Sequence, residues 1–188
     1  MNNAQPFVDF LRRMTALVEA KASTAEMLRE VPVALKPVLA GEAWLPKDLS
    51  VPNPDKYQQY LLYADPKGRF SVVSFVWGPG QYTPIHDHTV WGAVGQLRGQ
   101  EISTNYARTP TGLRVSSVDT LTAGETISFA PEGGDIHEVR NGSDQVSISI
   151  HVYGADIGRI ERHIFDLDGA VKPFISGYSP GPVPQWPL

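Results

Sequence analysis

The 188-residue sequence predicts a mostly β protein: an antiparallel barrel or double-sheet roll with a helical N-terminal part packed on it. Three observations carry that expectation. From Phe70 onward the chain falls into short segments rich in β-branched and aromatic residues: RFSVVSFVW, WGAVGQL, QEISTNYA, LRVSSVDTL, ETISF and QVSISIHVY. Turn signals (GPG, TPTG, AGE, PEGG, NGS) separate most of them, at a spacing of about 8–12 residues with no helical pattern between. Near the N-terminus, by contrast, apolar residues recur at helical spacing.

Taken in order, Phe7, Phe10, Leu11, Met14, Leu17 and Val18 predict a helix over 5–21. Ser23 with Glu26 reads as a capping box opening a second helix near 24–30, which Pro32 and Pro37 are expected to interrupt. Pro46, Pro52 and Pro54 mark a turn-rich connector. YQQYLLY, Tyr57 to Tyr63, fits a helix or a strand. GADIGRIERHIFD reads as a short helical turn. The Pro-rich tail GYSPGPVPQWPL should be extended, as a clasp on the barrel or as an arm to another subunit. One domain is expected over 1–188, with a helical part at 1–56, the barrel at 57–165 and the tail at 166–188.

Composition excludes several functions. Sixteen Lys and Arg against twenty Asp and Glu give a net charge of −4, with no run of basic residues, so a nucleic-acid partner is not expected. The absence of cysteine rules out disulfides, thiolate zinc sites, iron–sulfur clusters and a cysteine nucleophile. MNNAQPFVDFLRRM lacks the basic and apolar regions of a secretory signal, and no stretch approaches the roughly 18–20 apolar residues of a membrane span. The expectation is a cytoplasmic protein with no membrane partner. A homo-oligomer is compatible with the sequence.

Five histidines are present, and two form His86-Asp87-His88. In an extended segment residues i and i+2 share a face, so both imidazoles can reach one metal ion. Gly80 lies six positions ahead of His86, and downstream stand Gly124, Pro131, His137 and Asn141. These two blocks resemble the paired motifs of the cupin superfamily, a double-stranded β-helix (jelly-roll) barrel holding one metal. The first cupin motif normally continues to a glutamate ligand four or five residues after the second histidine, where this chain has Gly92 and Ala93. Three neutral imidazoles without a carboxylate leave a divalent ion its full charge and open positions, which favours an anionic thiolate together with O2.

PIHDHTVWGAVGQLRGQE, with WGPG before it and SISIHVYG after it, resembles the cysteine-dioxygenase-like thiol dioxygenases over roughly residues 57–165. The resemblance implies one Fe(II) per chain on His86, His88 and His137. It also implies conversion of a thiol to a sulfinic acid. The alternatives are another cupin enzyme, such as an isomerase with zinc or manganese, and a non-catalytic metal-binding cupin.

Ser149, His151 and Tyr153 alternate along one segment, so a hydroxyl, an imidazole and a phenol share one strand face, opposite Ile148, Ile150 and Val152. Such a row can form a hydrogen-bonded relay. The resemblance implies that it ends with the tyrosine hydroxyl beside the iron. His163 falls outside every motif and is expected at or near the surface.

Cysteine-specific relatives hold the substrate carboxylate with an arginine ahead of the first histidine, where this chain reads YQQYLLYA. Gln58 or Gln59 takes that place, with family spacing favouring Gln58. This resembles the bacterial glutamine-type branch associated with 3-mercaptopropionate, in which a later arginine grips the carboxylate. Arg162 is the expected partner and Arg159 the alternative, with an Asp166 ion pair the competing role for Arg162. The expected substrate is therefore 3-mercaptopropionate, with L-cysteine second.

Overall fold

The structure, a computed structural model, describes residues 4–188. Helices α1 (Gln5–Glu19) and α2 (Thr24–Leu39) precede a short 3-10 turn and ten strands: β1 (Gln58–Ala64), β2 (Ser71–Trp77), β3 (Gly92–Arg98), β4 (Gln100–Thr109), β5 (Gly112–Thr122), β6 (Thr126–Phe129), β7 (His137–Asn141), β8 (Ser147–Tyr153), β9 (Arg162–Phe165) and β10 (Val171–Phe174). No described helix is long and apolar enough to cross a membrane.

Two sheets make the roll. One is five-stranded, in the order β1-β2-β8-β3-β6, with all its pairings antiparallel. The other runs β5-β4-β7, and bridges from the segment around His86 to His137 and to Ile164 connect it to the β9-β10 hairpin. Val139 of β7 packs with Val73, Phe75, Trp77 and Tyr153, so the inner faces of the two sheets meet. This is the double-stranded β-helix that the motifs predict.

The main apolar core lies outside the roll. Val72 and Val76 of β2, Ala93 and Leu97 of β3, and Ile148, Ile150 and Val152 of β8 face Phe7, Leu11, Met14, Val31, Leu35 and Leu39 of the two helices. Burial of this surface supplies the driving force, and the helices are therefore integral to the barrel. α2 approaches β3 so closely that a Cβ at Gly95 would meet the Leu39 side chain at 2.7 Å.

The N-terminal elements depart from expectation at one point. The capping box forms, with Ser23 N–H donating to Glu26 Oε2 at 2.7 Å and Glu26 N–H to Ser23 Oγ at 3.3 Å. But α2 runs through Pro32 and Pro37 to Leu39. Proline costs a helix one hydrogen bond because the carbonyl four residues earlier loses its donor. For Pro32 that carbonyl is Leu28 O, which accepts instead from Ser128 Oγ of β6 at 3.1 Å. Packing on the sheet thus replaces the bond that the local sequence removes.

One open reading is resolved and one is corrected. YQQYLLY is strand from Gln58, the edge of the five-stranded sheet. GADIGRIERHIFD is not a helical turn beyond Ile160: its end, Arg162–Phe165, is β9, and β10 takes the first part of the tail. Beyond Phe174 the tail has no regular structure and folds back on its own chain. Ser179 N–H donates to Gln59 O at 2.9 Å, and Trp186 Nε1 donates to Leu62 O at 2.7 Å while its ring lies 4.5 Å from Phe7. The clasp is realised within the chain.

Trp186→Ala should therefore cost about 2 kcal/mol, from a partly buried indole and its hydrogen bond. For a chain of this size thermal unfolding should shift down by about 4–8 °C. An unchanged Tm would show that the tail does not hold the barrel.

Candidate metal centre and substrate cavity

His86 and His88 lie in the extended segment between β2 and β3, and His137 opens β7. His86 N–H donates to His137 O at 2.8 Å and His137 N–H to His86 O at 2.9 Å, a two-bond bridge that fixes the two residues side by side. After His88 the chain turns through Thr89 at φ 60°, a strained conformation for a β-branched residue. Asp135 Oδ2 accepts the N–H groups of both His88 (2.8 Å) and Thr89 (3.2 Å), which offsets that strain and anchors the turn.

One ring nitrogen of each histidine lies within 4.8 Å of the others, and all three rings are buried. The outer nitrogens are turned away. His86 Nδ1 stands 2.9 Å from Pro84 O, a carbonyl that can only accept, so the proton sits on Nδ1 and Nε2 offers its lone pair. His137 Nδ1 pairs with Ser103 Oγ at 2.9 Å. His88 Nδ1 lies 3.6 Å from Asp135, beyond hydrogen-bond reach. Burial pushes the His86 pKa down to about 4, and burial followed by the neighbouring imidazoles holds His88 and His137 well below the usual range. Three neutral, converging imidazoles are the state a metal ligand requires, so the donor set fits a divalent ion.

The place of the usual cupin glutamate has a physical explanation. Gly92 pairs with Tyr153 and faces the interior, and a Cβ there would meet the Phe129 ring at 2.3 Å. That ring packs against His88, centroids 4.5 Å apart. Phe129 thus fills the space that a carboxylate ligand would need, while Ala93 turns to the helices.

Ser149, His151 and Tyr153 form a chain along β8. Ser149 Oγ lies 2.8 Å from His151 Nε2, and His151 Nδ1 lies 2.9 Å from Tyr153 Oη. The Tyr153 ring stacks over His88 at 5.4 Å. Burial raises the phenol pKa, so the hydroxyl keeps its proton. Two partners were missed in the sequence: Trp77 Nε1 donates to Ser149 Oγ at 3.1 Å, and Ser149 Oγ lies 2.6 Å from Glu101 Oε2. Glu101 and Ser103 alternate on β4, so one strand supports both the row and His137. The alternation of polar residues in QEISTN was the available signal, but nothing local says which face of β4 points inward.

A cavity of about 30 Å³ opens beside the histidines, lined in part by His86, Tyr153, Phe75, Gln59, Arg162 and Ser176. A roomier hollow of about 500 Å³ between α1 and α2 is open to solvent and contains none of these groups. Gln59, not Gln58, reaches the cavity. Gln59 pairs with Phe75 on the inward face of β1, and its Nε2 donates to Ser176 Oγ and Gly177 O. Gln58 pairs with Val76 on the opposite face and spends its amide on the carbonyls of Lys56 and Tyr57. A one-residue shift along a strand exchanges faces, which is why a spacing estimate cannot decide between neighbours.

Arg162 is buried in the cavity wall. Its Nη2 donates to Ser176 Oγ at 2.8 Å, its guanidinium lies 4.6 Å over the Phe174 ring, and Nε has no partner. It makes no ion pair with Asp166 or any other carboxylate among the described residues. Burial lowers its pKa, and unpaired buried charge is costly. Arg159 is exposed and pairs with Asp156. His163, beside Arg162, has a role the sequence did not reveal: its N–H and Nδ1 meet the two carboxylate oxygens of Asp87 at 2.8 and 2.9 Å. Asp87 sits between the two histidines of the H-x-H segment, so this pair ties the metal-side loop to the strand carrying Arg162.

Solved structures that match include TT1209 from Thermus thermophilus (19% identity, 58% of this chain and 92% of that one, TM-score 0.47). Another is an uncharacterized conserved protein with a double-stranded beta-helix domain from Klebsiella pneumoniae (14%, 66% and 90%, TM-score 0.47). A third is a cupin domain from Bordetella pertussis (21%, 52% and 92%, TM-score 0.40). The model of the family described as cysteine dioxygenase type I matches residues 1–165, most of the sequence. The chain, with its three buried imidazoles on a double-stranded β-helix roll, belongs to the cysteine dioxygenase type I family.

Proposed function

We propose that this protein is an Fe(II)-dependent dioxygenase that oxidises a short thiol acid, 3-mercaptopropionate, to 3-sulfinopropionate. The supporting observation is the Arg162 guanidinium, buried without a carboxylate partner in the cavity that also contains His86 and Tyr153. A ligand carboxylate would complete it, in the bidentate geometry that arginine favours. The reaction adds O2 to RSH to give RSO2H, with no outside reductant. Iron on His86, His88 and His137 would supply the redox chemistry that zinc lacks.

The chain's own residues position and select. Arg162 holds the carboxylate end of the substrate, leaving the sulfur toward the histidines. Phe75, Ile157 and Phe174 keep water away, which strengthens each polar contact inside. No carboxylate lines the cavity among the described residues, so the ammonium of L-cysteine meets no ionic partner there. That favours the thiol acid without an amine.

Anaerobic loading with Fe(II), followed by 3-mercaptopropionate and O2, should give O2 uptake and a sulfinate detectable by mass spectrometry. His88→Ala should remain folded, because the core is aliphatic and aromatic, but lose bound iron and turnover. Full iron content and normal activity in that variant would refute the ligand set. Tyr153→Phe should retain iron yet turn over about ten- to a hundredfold more slowly, since one hydrogen bond at a charged centre is worth about 1.5–3 kcal/mol. An unchanged rate at saturating thiol would make the row structural.

Arg162→Ala should raise KM for 3-mercaptopropionate by roughly thirty- to a hundredfold, and the unmodified enzyme should show a higher kcat/KM for it than for L-cysteine. Preference for L-cysteine in the unmodified enzyme would overturn the substrate assignment while leaving the dioxygenase reaction in place.

A further inference from the structure

Glu101 is the outermost member of the hydrogen-bonded row on β8, and we propose that its carboxylate fixes the direction of that chain, so that Tyr153 presents an acceptor to the cavity. This rests on the reading of Tyr153 as a group at the reacting centre.

The argument is a count of protons and lone pairs. Ser149 Oγ has one proton and two lone pairs. Trp77 Nε1, which can only donate, uses one lone pair at 3.1 Å. An ionised Glu101 can only accept, and its Oε2 is the nearest partner at 2.6 Å, so the serine proton points there. His151 Nε2, 2.8 Å away, must then donate to the remaining lone pair of Ser149. A neutral imidazole protonated at Nε2 has a bare Nδ1, which accepts from the Tyr153 hydroxyl at 2.9 Å. The single phenol proton is committed away from the cavity. The oxygen lone pairs face it, ready for a donor such as an arriving S–H.

Without the carboxylate the row has a second, equally complete arrangement: Ser149 donates to Nε2, Nδ1–H donates to the phenol oxygen, and the tyrosine proton points into the cavity. Glu101 selects between the two. It is buried on β4 and acts only through Ser149 and His151, so it is a positioning residue.

The test is the tautomer of His151, read by long-range 15N–1H NMR on the full chain, both metal-free and loaded with zinc as a diamagnetic ion. His151→Asn assigns the signal. The unmodified protein should show a neutral ring protonated at Nε2. Glu101→Gln, whose amide can turn its NH2 to Ser149, and Glu101→Leu, which offers no acceptor, should raise the Nδ1–H fraction by about tenfold. Glu101→Asp should restore the Nε2–H form. An Nδ1–H or doubly protonated ring in the unmodified protein overturns the proposal, as do folded Gln and Leu variants that keep the Nε2–H ring. Should the variants fail to fold, the unmodified spectrum still decides. Absence of sulfinate from any thiol acid would remove the proposed reaction without altering the tautomer result.

Discussion

Every residue of β8 is buried, but its two faces meet opposite environments: Ile148, Ile150 and Val152 lie against the helices, while Ser149, His151 and Tyr153 look into the roll. The period of two that separates these sets also binds them. Slipping the strand by one residue against β2 or β3 would drive an imidazole and a phenol into the aliphatic core and expose three β-branched side chains to the metal side. The energy that seats the helices is thus the energy that holds the polar row in register. Tyr153 opposite Gly92, and Ser149 opposite Phe75, follow from that register.

Around this strand the charges are arranged in layers. The innermost groups, three imidazoles and a phenol, are neutral because burial penalises their ionised forms. Carboxylates stand one step farther out: Asp135 on the turn after His88, Asp87 against His163, Glu101 behind Ser149. Among the described residues the one formal charge in the cavity wall is the guanidinium of Arg162, and its field is one reason the histidines stay unprotonated. The guanidinium makes that wall attractive to an anionic group.

The sequence revealed the roll through its repeated short segments, and His86 with His88 and the alternating row through a spacing of two, but it reached His137 only through the resemblance to paired motifs far apart in the chain. It was less informative where the answer depends on a distant partner. Pro32 reads as a helix breaker until Ser128, a hundred residues away, supplies a donor to Leu28 O. Gln58 and Gln59 are indistinguishable until the pairing of β1 with β2 chooses a face. Glu101 and Asp135 look like ordinary surface residues in isolation, and only the folded chain buries their side chains; His163 stays partly exposed, as expected, and only its pairing with Asp87 sets it apart. YQQYLLY was ambiguous for the same reason: an edge strand takes its identity from its neighbour.

The tail also divides the site in time. Arg162 is oriented by Ser176 and Phe174, and Gln59 by Ser176, Gly177 and Ser179, all of them beyond residue 165. Ser176 lies thirty-nine positions beyond His137, the last imidazole of the triad. At a synthesis rate of about 5–20 residues per second, roughly 2–8 s separate the two. The nascent chain therefore holds the three imidazoles before the contacts that orient Arg162 and Gln59 exist, and a cleavage after β10 would remove Ser176 and Ser179 while leaving the imidazoles in place.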